Sequence, residues 1–114
     1  MARRTSAPSR SAGTLSVESL RIHPGALEEA EAATEWYAQQ SRRAAERFVD
    51  ELDTAIDRIA RNPRQYSLDN AATRRMLLRR FPFVIVFRDT PAGVEIIAIA
   101  HGHRRPGYWR DRLG

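Results

Sequence analysis

The residues best suited to chemistry lie near the end of the chain, in His101-Gly102-His103-Arg104-Arg105-Pro106-Gly107-Tyr108-Trp109-Arg110-Asp111-Arg112. Leaving a strand, His101 and His103 would project to one side, two residues apart, followed by arginines interleaved with aromatic rings. Guanidinium groups pair with phosphate oxygens through two parallel hydrogen bonds, and planar rings stack on bases, so the mixture suits an RNA or phosphate surface. The same residues also have a packing role open to them, with Tyr108 and Trp109 folded back over a sheet edge and the arginines in water. Either histidine could move a proton near neutral pH if a carboxylate oriented its ring, and Asp111 and Glu95 could serve. A metal centre is not expected, because zinc takes four ligands, or three and a water, and the remaining histidine, His23, is remote in the chain. No cofactor is expected either.

A second basic cluster comprises Arg74, Arg75, Arg79, Arg80 and Arg88, with no acid between Asp69 and Asp89. On a single strand Arg75 and Arg79 would share one face and Arg74 and Arg80 the other, so the five cannot line one groove unless the strand bends. Such charge also protects edge strands from unwanted pairing. All 19 basic residues are arginine, so no lysine is available as general base, Schiff-base former or phosphate clamp. No nucleophilic serine motif, glycine-rich phosphate loop or paired-carboxylate spacing occurs.

These residues must be positioned by one small domain, since 114 residues leave no room for a second. A composition of 42% hydrophobic and 29% charged residues is that of an ordinary globular protein with a modest core. The absence of cysteine removes disulfides, thiol nucleophiles and thiolate metal sites, and a cytoplasmic location is the expectation. No apolar run reaches the roughly 18–20 residues that span a bilayer, and no hydrophobic stretch follows Arg3, Arg4 and Arg10 as a secretory signal would require. The net charge of +5 is gathered at the ends: three arginines without an acid in residues 1–16, and four arginines against Asp111 in residues 101–114. Charge so placed suggests an anionic surface met there.

Residues 1–14 are rich in Ser, Ala, Thr, Pro and Arg and read as a flexible basic tail, leaving 15–114 as the folded domain. Leu15, Val17, Leu20 and Ile22 predict a first strand ending at His23-Pro24, and Pro24 suits the first turn of a helix. Ala26, Ala30, Ala33 and Tyr37 share one helical face, flanked by Leu27 and Trp36, to about Gln40. Ser41 can cap a second helix whose stripe is Ala45, Phe48, Val49, Leu52, Ile56 and Ile59, stopped by Asn62-Pro63. The acid-rich outer faces from Glu28 to Asp57 read as solvated surface. Past a polar connector come strand patterns at 75–80, 83–87 and 94–100, the second apolar throughout as befits a strand covered on both faces. The order is β-α-α-β-β-β, an α+β domain with an antiparallel helical hairpin on one face of a twisted antiparallel sheet.

That order, with His23-Pro24 before a helix holding Trp36-Tyr37, then Arg79-Arg80-Phe81-Pro82-Phe83-Val84-Ile85-Val86-Phe87, then Ile99-Ala100-His101-Gly102-His103-Arg104-Arg105-Pro106-Gly107-Tyr108-Trp109, resembles the RelE/ParE superfamily. These are toxins of type II toxin–antitoxin modules, also called plasmid stabilisation proteins, and the resemblance covers about residues 15–112. It implies a cognate antitoxin as partner, hence a toxin–antitoxin hetero-oligomer, and no membrane. Nuclease-like members cut mRNA in the ribosome; gyrase-directed members trap DNA gyrase and stall replication. The apolar strand 83–87, where nuclease-like members tend to carry an arginine, and the absence of lysine depart from the nuclease pattern and favour the ParE-like branch. The resemblance thus implies target binding by Arg104, Arg105, Tyr108 and Trp109, with Arg75, Arg79 and Arg80 contacting phosphate or the antitoxin. The alternative is a ribosome-dependent mRNA endoribonuclease with His103 near the chemistry.

Overall fold

The computed structural model describes residues 19–69 and 72–114. The predicted tail, 1–14, and the opening of the predicted first strand at Leu15 and Val17 lie outside the described residues. Strand β1 (Leu20–Ile22) leads into helix α1 (Pro24–Gln40), and α2 (Arg42–Arg61) follows at once. A 3-10 turn at Pro63–Gln65 then precedes β2 (Arg74–Leu77), β3 (Phe83–Thr90) and β4 (Gly93–His101), and a second 3-10 turn spans Arg110–Leu113.

Local chemistry accounts for the helix ends. His23 is the N-cap of α1: its Nδ1 accepts a hydrogen bond from the Gly25 N–H at 2.9 Å, and Pro24 occupies the position where a missing donor costs nothing. Ser41 alone joins the helices. Its N–H donates to the Tyr37 carbonyl at 2.9 Å, closing α1, while its Oγ accepts from the Ala44 N–H at 2.9 Å, opening α2. Asn62 closes α2 ahead of Pro63.

The sheet order is β1-β4-β3-β2. β2, β3 and β4 are antiparallel as expected, whereas β1 lies parallel to β4, with Leu20 opposite Val94 and Ile22 opposite Ile96. The N-terminal strand therefore docks beside the last one, and the helical hairpin forms the crossover above them. Ile97 is an extra residue in β4: Val86 pairs with Ala98 and Phe87 with Ile96, so the side-chain alternation resets across this bulge.

Both faces of the sheet are covered. On one, Phe48, Leu52, Ala55 and Ile59 of α2 and Ala26 and Ala33 of α1 pack on Ile85, Phe87, Ile96 and Ile99. On the other, Val86, Ile97 and Ala98 are roofed by Trp109, with Val84, Tyr108 and Leu113 around it. The apolar character of strand 83–87 reflects this double burial. Among the described residues, no helix is long and apolar enough to cross a membrane.

Candidate functional site

Beyond β4 the chain turns back under the sheet. Arg104 N–H donates to the His101 carbonyl at 3.0 Å, Tyr108 N–H to Arg105 at 3.3 Å, and Gly107 takes a φ of +79°, which a side chain would oppose. This return makes a cleft of about 130 Å³ whose lining includes Val84, Val86 and Ala100 together with Arg75, Arg104 and Arg105. Arg75 arrives from β2, where it pairs with Val86 and so projects to the face away from the helices.

The four C-terminal candidates thus meet in one place, but in different roles. Arg104 and Arg105 are exposed. The Arg104 Cζ stands 3.9 Å from the Tyr108 ring centroid, a cation–π contact. Trp109 is 4% exposed and closed into the second core, and it also lines the cleft. Tyr108 is half-buried, and its hydroxyl donates to Glu29 Oε2 at 2.7 Å. Packing has claimed the aromatic rings and left the guanidinium groups outside.

His103 is exposed, and its ring stacks on His101 at 5.0 Å, while its N–H donates to His101 Nδ1 at 3.1 Å. Glu95, one of the two carboxylates considered for orienting a histidine, is instead held by Arg88 at 2.9 Å, and Arg88 also reaches the Leu113 carbonyl. Among the described residues no three His, Asp or Glu side chains gather where they could hold a metal.

The run of arginines from 74 to 88 does not form one surface. β2 ends at Leu77, so the expectation that Arg75 and Arg79 share a strand face is corrected: Arg79 and Arg80 lie in the turn before β3, where both backbone N–H groups donate to the Glu51 carboxylate. Their positions line a separate groove of about 380 Å³ against α2, with Arg47 and Arg58. Arg74 turns toward the helix side and donates to the Tyr66 carbonyl at 2.7 Å, and Arg75 pairs with Asp69 at 3.1 Å.

Glu29 is the residue that sequence reasoning missed. Read as solvated, its side chain is 16% exposed and accepts four hydrogen bonds: from Ile99 N–H at 2.9 Å, from Tyr108, and from Arg112 Nη1 at 3.1 Å and Nη2 at 2.9 Å. Arg112 Nη1 also donates to the Ile97 carbonyl at 3.0 Å. β1 stops opposite Ile96, so the edge of β4 would be bare from there on; the Glu29–Arg112 pair meets the Ile99 N–H and the Ile97 carbonyl in place of a strand. Gly25 leaves room for this, because a Cβ there would stand 2.6 Å from Arg112 Cζ. Burial pushes the Glu29 carboxyl up, yet the hydrogen bonds from Arg112, Tyr108 and Ile99 outweigh it and hold the carboxyl below its ordinary value. Burial, reinforced by the bond to Glu29, pushes the Tyr108 hydroxyl up. A signal existed: Glu29 falls three after Ala26 and four before Ala33, on the track of the buried stripe.

Comparison with known proteins agrees with this architecture. A solved structure described as the chromosomal ParDE TA system from P. aeruginosa superposes with a TM-score of 0.65 at 19% identity, covering 75% of this chain and 97% of that one. A search of curated proteins gave no match. The family model described as ParE toxin of the type II toxin–antitoxin system parDE matches residues 20–106, from the first residue of β1 through the arginine turn. With the element order, the hairpin joined at Ser41 and the return of the chain beneath the sheet all falling within or beside that match, the chain belongs to the ParE toxin family.

Proposed function

We propose that this protein is the toxin of a type II toxin–antitoxin module, that it acts in the cytoplasm by binding DNA gyrase and so halting replication, and that a cognate antitoxin neutralises it. Arg104 and Arg105 make the target contact, with Arg75 on the same cleft. The supporting observation is the make-up of that cleft: Val84, Val86 and Ala100 form its apolar floor, Arg104 and Arg105 bring positive charge, and Arg75 is paired there with Asp69. Apolar surface beside guanidinium groups suits the capture of an anionic or polar partner surface. Glu95, which could have oriented a histidine, is engaged by Arg88, which favours binding over proton transfer at His103.

The test adds purified protein to gyrase with supercoiled plasmid and, in parallel, to a translating extract. Cleaved DNA–gyrase complexes should accumulate, and the Arg104→Ala, Arg105→Ala double variant should lose that effect while melting at the wild-type temperature. Codon-linked mRNA cuts in the extract, without gyrase complexes, would overturn the reading in favour of an endoribonuclease. Tight antitoxin binding with neither effect would reduce the protein to an interaction module.

A further inference from the structure

Arg104 and Arg105 are neighbours on the same turn, yet they are held differently. The Arg104 guanidinium sits 3.9 Å from the centroid of the Tyr108 ring, and Arg112 approaches the same ring at 5.4 Å. The ring is itself fixed at its far end, where the hydroxyl donates to Glu29 at 2.7 Å. Glu29 is fixed in turn by Arg112 and by the Ile99 N–H of β4. A chain of contacts therefore runs from the rigid sheet, through one carboxylate and one phenol, to a guanidinium group at the rim of the cleft.

An arginine that roams among rotamers must give up that freedom when it binds, whereas one already held gives up less. A cation over a ring face is held electrostatically, and a ring anchored at its hydroxyl fixes where that face lies. We infer that Glu29, acting through the Tyr108 hydroxyl and ring, is a positioning residue that presets the Arg104 guanidinium for target contact. The inference rests on the reading that Arg104 meets the target. It deepens that reading by assigning a role to a helix residue whose carboxylate is held within the fold.

Tyr108→Phe removes the anchor but keeps the ring, so the fold should survive; Glu29→Gln is the companion variant. The first readout is independent of any target. In nitrogen-correlated proton spectra of arginine side chains, the Arg104 Nε–H of the wild type, assigned by its loss in Arg104→Ala, should be displaced upfield by the ring. In Tyr108→Phe and Glu29→Gln that displacement should shrink. An Arg104 resonance that does not move in Tyr108→Phe would overturn the positioning role and leave the gyrase reading standing.

The second readout is a double-mutant cycle on cleaved gyrase complexes. Tyr108→Phe, which keeps the ring but loosens it, should raise the half-maximal toxin concentration by about twofold, with about fivefold, the full worth of one exposed cation–π contact, as the ceiling. In an Arg104→Ala background it should have no further effect. An equal loss in both backgrounds would mean that Tyr108 acts only on the fold, overturning the inference. Gyrase complexes undiminished by Arg104→Ala would instead strike the assignment of Arg104 as a target contact, with the spectra still deciding whether it is preset.

Discussion

Trp109 is the residue on which a binding role and a packing role make opposite demands. It is 4% exposed and closes the small second core formed with Val86, Ile97 and Ala98. Trp109→Ala removes the only large ring from that buried group, leaving two β-branched side chains and an alanine that cannot collapse to fill the space. A substitution of this kind costs about 3–5 kcal/mol. Small domains hold about 5–15 kcal/mol in all, and each kcal/mol moves the melting temperature of a domain this size by about 4–8 °C. Trp109→Ala should therefore melt at least about 12 °C below the wild type. Urea and thermal unfolding followed by far-ultraviolet circular dichroism measure this directly. A Trp36→Phe protein, which alters a ring already 56% exposed, isolates the emission of Trp109, and that emission should be blue-shifted until the fold is lost. Trp109→Phe should retain most of the stability and, on the proposed function, the toxicity. Should Trp109→Ala unfold at the wild-type urea midpoint while losing all toxicity, the packing account of this residue would be wrong and a direct target contact would replace it.

Two further outcomes follow from the geometry. In the fold the Glu29 carboxyl is held below its ordinary value of 4.5, so its stabilising contribution is complete above that value and disappears as pH falls through the lower, folded one. Glu29→Gln should consequently lower the urea midpoint most at pH 7 and progressively less in acid, and an equal deficit at pH 7 and pH 3 would contradict the ion-pair account. Gly93 has a φ of +122°, and a Cβ there would stand 1.9 Å from the Ser19 carbonyl oxygen that accepts the Val94 N–H. Gly93→Ala should destabilise by more than about 1 kcal/mol and free β1, seen as faster amide exchange at His23; unchanged exchange there would disprove it.

Much of the fold was legible in local signals. The stripe of α2, Pro24 in the first turn of α1, the cap at Ser41, the stop at Asn62-Pro63 and the doubly buried run at 83–87 depend on residues a few positions apart, where steric and hydrogen-bonding preferences act at short range. Strand pairing at the other edge was not legible. β1 has three residues, and its parallel register on β4 follows from where the helical hairpin delivers the chain. The bulge at Ile97 is equally silent, because residues 96–100 are apolar at every position.

The candidate site divides in the same way. Sequence by itself determined that guanidinium groups and rings would follow the last strand, because composition and strand-to-turn order are properties of the chain alone. Only the tertiary structure decided which of them face outward: Trp109 fills a hollow made by β3 and β4, Tyr108 is tied to Glu29 from 79 residues earlier, and Arg104 and Arg105 remain at the rim. Burial is a relation between distant segments, and it follows from which apolar face is left bare when the sheet closes. No window of neighbouring residues contains that information.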